Sequence, residues 1–164
     1  MSAPPGEVKI FVAEGPDAPR DELPMVERDA ITAVVRDPAS GKYLGLKWKK
    51  VDWDTLITGG IEENQTAEAA ARAEVSEETG YDKLNLVSVL PSYEAQFYHH
   101  PKGENRHARF QSFLFEISDS KANLLSHEEL EKHEPVWLNP EELATFRLPE
   151  GHRYLIDYIL DHSL

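Results

Sequence analysis

Hydrophobic positions along this chain fall mostly into short runs of strand type, with helical spacing in a few places. Residues 30–35, Ala-Ile-Thr-Ala-Val-Val, make a β-branched apolar run closed by Asp37-Pro38, which predicts a buried strand. Ser40-Gly41 turns the chain into residues 43–48, a second expected strand in a hairpin-like pair with the first. Residues 84–90 alternate apolar and polar, and residues 93–100 carry the pattern on past a break at Pro91. After the turn-rich Pro101-Lys102-Gly103-Glu104-Asn105, residues 107–117 predict a strand that returns antiparallel, and residues 133–138 a short one. Pro4, Pro5, Pro16, Pro19 and Pro24 argue against any helix at the N-terminus, leaving residues 8–12 as a candidate strand added to the sheet.

Helical signals are fewer. An alanine-rich stretch from Ala67 has strong helix propensity and ends at Gly80, a C′ glycine. Ser126 with Glu129 three residues later has the form of a capping box opening a helix to Lys132. Pro140 suits a first helical position, and Tyr154, Leu155, Tyr158 and Ile159 place a last helix over residues 153–162. No repeat, low-complexity tract or second-domain boundary interrupts the series.

Composition narrows the class. At 164 residues the chain fits one domain with a proper core. A formal charge of −13 disfavours direct binding of duplex nucleic acid, which needs a basic footprint. Phosphate substrates remain open, because bound cations reverse the local sign. The absence of cysteine removes disulfides and thiolate metal sites. No signal-like segment follows Met1 and no run approaches membrane-spanning length, so a soluble, cytoplasmic protein is expected.

Chemistry concentrates in the alanine-rich helix. Glu74, Glu77 and Glu78 stand at i, i+3 and i+4 and share one face. Three crowded carboxylates repel one another and oppose the helix dipole near its C-terminus. A hard divalent cation, Mg²⁺ before Mn²⁺, would relieve both effects; a solvated acidic face is the plainer reading. Elsewhere, Lys47, Lys49 and Lys50 around Trp48 are either surface charges or phosphate neutralisers. Arg106 and Arg109 could meet a phosphate, and Tyr98 or Phe97 could stack on a ring. Adjacent His99 and His100 make a poor zinc pair, because successive strand residues point to opposite faces.

The spacing from Gly59 to Tyr81 resembles the Nudix box, G-x5-E-x7-R-E-U-x-E-E-x-G-U, where U is a bulky apolar residue. Gly59 takes the first glycine, Glu74-Val75 the E-U, Glu77-Glu78 the E-E and Gly80-Tyr81 the final G-U. The resemblance implies an α/β (α+β) fold with a mixed β-sheet sandwiched between α-helices. Residues 26–164 would form a single Nudix domain behind an N-terminal extension, 1–25, holding a candidate edge strand. It further implies a Mg²⁺-dependent hydrolase that cleaves the pyrophosphate of a nucleoside diphosphate linked to another moiety. Glu74, Glu77 and Glu78 would be the metal ligands, with the Gly59 carbonyl a lesser one. Glu77 and Glu74 are the catalytic candidates from the box, and Glu128, Glu129 or Glu131 supply a base from a later loop. Arg106, Arg109, Tyr98 and Lys47 are candidate substrate contacts. No membrane partner is expected, and a homodimer is left open.

Two positions depart from the box: Gln65 stands where the family has Glu, and Ala73 where it has Arg. Arg72 is one residue early, about 100° round the helix, and does not substitute. Such a loss of support around metal ligands typically costs roughly 10–100-fold in affinity or activity. It also keeps a second class in view, a recognition or accessory domain without catalysis. Segments at 26–31, 47–53, 105–110 and 132–134 are similar to the Nudix-type module of some bacterial leucyl-tRNA synthetases, although none of the synthetase's ATP-binding motifs is present.

Overall fold

The computed structural model describes residues 8–50 and 54–164. Trp53, which stands just ahead of the box and is expected from the sequence to cap the core, lies outside the described residues. The described residues form eight strands, β1 (Lys9–Val12), β2 (Met25–Arg36), β3 (Tyr43–Trp48), β4 (Asp54–Thr55), β5 (Ile57–Gly60), β6 (Leu84–His99), β7 (Glu104–Ile117) and β8 (His133–Leu138). Four helices accompany them, α1 (Ala67–Thr79), α2 (His127–Lys132), α3 (Pro140–Thr145) and α4 (Glu150–Asp161).

All eight strands join one mixed sheet in the order β1-β6-β7-β2-β3-β4, with β5 also on β2 and β8 on β3. The spine is β2, parallel to β7 along its whole length and antiparallel to β5 at Ala30–Gly60 through Ala33–Ile57. Because β5 occupies that edge, the expected hairpin of β2 with β3 shrinks to the single pair Arg36–Tyr43. Strand β3 finds its main partner in β8 instead.

Alternation along β2 sorts the core into two layers. Ile31, Ala33 and Val35 join Leu44, Leu46, Ile57, Phe113 and Phe115 beneath Ala70, Ala71 and Val75 of α1. Val34 turns the other way, joining Tyr43, Tyr93 and Leu114 under Leu143 of α3 and Leu155, Ile156 and Ile159 of α4. The sheet is therefore sandwiched between helices, as the resemblance implied. Within the second layer the Thr32 and Tyr93 hydroxyls share a buried 2.7 Å hydrogen bond that ties β2 to β6 across the intervening β7.

The sequence reading fails at two boundaries for local reasons. Pro91 does not break β6: the ladder to β7 slips in register between Leu90 and Tyr93, and a proline at such an irregularity withholds no ladder hydrogen bond. Helix α4 starts at Glu150 because Pro149 at its N-cap needs no amide donor. At the other end of the chain, β1 runs parallel to β6. The segment after it is pinned by the buried Asn105, whose side chain accepts from Arg20 N and donates to the carbonyls of Arg20 and Leu23.

Candidate active site

Helix α1 is set by its own ends. Thr66 caps it, accepting from Ala69 N at 3.1 Å, and Gly80 closes it at φ 85°. With Ala70, Ala71 and Val75 committed to the core, the three glutamates separate. Glu77 turns to solvent, whereas Glu74 and Glu78 are half-buried. Glu74 lies directly against Gly59, where any Cβ would collide with its Cγ and Cδ, so the first box glycine is the space that Glu74 fills. Glu78 Oε2 is buried with no hydrogen-bond partner. Burial first, then the charges of Glu77, Glu129 and Glu62, pushes the Glu74 carboxyl up to about 7. Burial, then Glu74, Glu129 and Glu77, holds Glu78 well above the usual carboxylate range. Lys132 opposes both shifts without cancelling them.

A fourth carboxylate thus comes from α2. Ser126 accepts from Glu129 N at 3.2 Å, but the Glu129 side chain does not return to close the capping box. It lies instead 3.1 Å from His133 Nε2. His133 is 1% exposed, edge-on to the Trp48 ring at 4.8 Å, and burial lowers its pKa. Of the three loop glutamates, Glu129 is the one whose charge acts on the box pair, while Glu128 and Glu131 are exposed. Sequence reasoning missed the Glu129–His133 link, although their i, i+4 spacing carries the signal.

Residues at and beside the two departures are engaged elsewhere. Gln65 Oε1 accepts from Glu62 N at 3.1 Å while Gln65 N donates to Glu62 O, so this residue folds the box loop onto itself. Arg72 points away from the glutamates, pairing with Glu68 and donating to Leu84 O over the Phe115 ring. Among the described residues no three His, Cys, Asp or Glu side chains stand as a preformed cage. The donor set nonetheless fits a hard cation: every donor is oxygen, one buried oxygen is orphaned, and no ion pair neutralises Glu74 or Glu78 among the described residues.

The expected substrate contacts disperse. Arg109 is exposed and held by Asp29 at 3.0 Å and Glu27 at 3.2 Å. Arg106 lies on the opposite face of β7, beside Glu104 at 3.3 Å, so the two arginines do not act together. Tyr98 is covered by the Arg20 guanidinium, 4.1 Å from its ring centre. Lys47 is exposed between its cross-strand neighbours Asp54 and Glu134, which favours the surface reading. His100 bonds to Asp17 at 2.9 Å and diverges from His99, against a shared zinc ion.

The fold is similar to that of the E. coli dihydroneopterin triphosphate pyrophosphohydrolase, with TM-score 0.64 and 21% identity over 84% of this chain and 99% of that one. It also resembles the C. elegans Ap4A hydrolase, with TM-score 0.60 and 14% identity over 85% and 100% of the two chains. A MutT Nudix hydrolase from Burkholderia pseudomallei aligns with TM-score 0.56 and 19% identity over 80% and 97%. Identities this low speak for the fold alone, and no curated protein sequence matches the chain. A family model for the NUDIX domain, however, matches residues 26–159, and the chain belongs to the Nudix hydrolase family.

Proposed function

We propose that this Nudix hydrolase cleaves the pyrophosphate of a nucleoside diphosphate joined to a second group, with Mg²⁺, or Mn²⁺ in its place, as cofactor. One observation carries the reading: Glu74 and Glu78 are half-buried side by side with raised pKa values and no neutralising partner. Buried like charges are costly unless a cation joins them. Glu74, Glu78 and Glu77, with the Gly59 carbonyl, would hold it. The bound cation would screen the pyrophosphate and lower the pKa of an attacking water.

Glu129 is the base in this reading, in preference to Glu77, which is turned to solvent. His133 Nε2 stands 3.1 Å from its carboxylate, and general-base removal of a water proton is typically worth about 10²–10⁴-fold. Product formation over a panel of nucleoside diphosphate derivatives with Mg²⁺ is the direct test. Glu78→Gln and Glu129→Gln should each lose most turnover while keeping the wild-type circular dichroism. Full turnover in Glu78→Gln would overturn the metal assignment, and full turnover in Glu129→Gln the choice of base. No helix among the described residues is long and apolar enough to cross a membrane.

A further inference from the structure

Past Phe110 and Tyr93, where the α4 layer ends, the same face of the sheet continues along β2, β7 and β6. Register places Val26 beside Arg106 and Arg106 beside Phe97. Two residues on along their strands, Arg28 and His99 lie on that face too. Arg28 reaches back to β5, where a Cβ on Gly60 would collide with its guanidinium. The paired glycines of β5 therefore face opposite ways, Gly59 toward Glu74 and Gly60 toward Arg28.

Arg28 has no carboxylate partner among the described residues, although acidic side chains outnumber Lys and Arg 30 to 17 in this chain. Its neighbours Asp29 and Glu27 are spent on Arg109, on the other face. His99 Nδ1 is buried with no hydrogen-bond partner. Arg106 and Arg28 both act on the His99 ring, which burial and these charges hold neutral, at about 4. An arginine at a half-buried strand position without a carboxylate partner, acting on an unsatisfied imidazole nitrogen, is more stable when an anion joins it.

We infer that Arg28, Arg106 and His99 form a phosphate-binding subsite on the face of the sheet opposite the box carboxylates, taking a phosphoryl group of a substrate that passes from those carboxylates round the end of β5 at Gly60. Arg28 supplies the free charge, since Glu104 already engages Arg106 at 3.3 Å. His99 supplies a neutral ring nitrogen. Phe97, beside Arg106 in register, borders the subsite. This inference rests on the hydrolase reading for its substrate, but its anion binding does not need the cation.

The test uses the full chain in EDTA, titrated with inorganic phosphate and followed by the NMR signals of the Arg28 and Arg106 Nε–H groups and the His99 ring. These should shift together and saturably while the Arg109 signal stays still. Arg28→Gln should weaken phosphate binding roughly tenfold or more, Arg28→Lys less, and Arg109→Gln not at all. With a hydrolysed nucleotide substrate, Arg28→Gln should raise KM more than it lowers kcat. No saturable shift, or unchanged phosphate affinity in a folded Arg28→Gln, would overturn the subsite even in an active enzyme. Saturable binding in a protein that hydrolyses nothing would leave the subsite standing and sink only the hydrolase reading.

Discussion

Glu78 and Glu77 are neighbours in sequence with opposite circumstances, one half-buried with an orphaned oxygen and the other in solvent. At alkaline pH, above its raised pKa, Glu78 is an uncompensated charge that Gln removes, so there and without metal Glu78→Gln should melt above the wild type, by about 2–4 °C for each ~1 kcal/mol gained. Thermal unfolding in EDTA measures it, and a lower melting point would contradict the burial argument. The box substitutions belong to this scale as well. Gln65→Glu with Ala73→Arg should tighten Mg²⁺ binding or raise turnover within a range of roughly 10–100-fold, read by calorimetry and initial rates. Because Gln65 now clasps Glu62, Gln65→Glu alone should give no gain. Spacing made the three box glutamates legible. It could not show that Gln65 had found local work, since a side chain bonded three residues away leaves no periodic trace. Nor could it assign reasons to Asn105, whose partners Arg20 and Leu23 lie in a distant turn, or to Arg28, which reaches across to Gly60 of β5.

Elements were read well where one strand or helix decides its own form. Residues 43–48 and the Gly80-terminated helix follow local pattern and capping chemistry. Pairing was less legible, because which strand takes the free edge of β2 is settled by competition between β3 and β5 in three dimensions. The Thr32–Tyr93 bond shows how far apart the stabilising partners lie. Tyr93→Phe would strand the Thr32 hydroxyl in a dry layer, at a cost of about 1–3 kcal/mol. Urea unfolding should show a lower midpoint with an unchanged m-value; an equal midpoint would mean that the bond contributes nothing.

For the whole molecule, the raised carboxyls set a pH dependence with a definite sign. Folded Glu74 and Glu78 hold protons that the unfolded chain releases near its ordinary carboxylate range. The Glu74 contribution to metal-free stability should therefore decline as pH climbs from about 4.5 to about 7 and level off above, and Glu78 contributes with the same sign. Melting in EDTA across that window, compared with Glu74→Gln, isolates that contribution, and Mg²⁺ should reverse it. At about 100 times its Kd a ligand of the folded state adds about 2.7 kcal/mol. Proton release on Mg²⁺ binding near neutral pH, measured in buffers of different ionisation heat, is the matching calorimetric sign.

The Gln65–Glu62 clasp has one more consequence. A loop that is knotted by its own amide before any ion arrives has little ordering left to do when the ion comes. Magnesium uptake should then show a heat-capacity change near zero, as expected when little apolar surface is newly covered, and Gln65→Ala should make that change distinctly more negative.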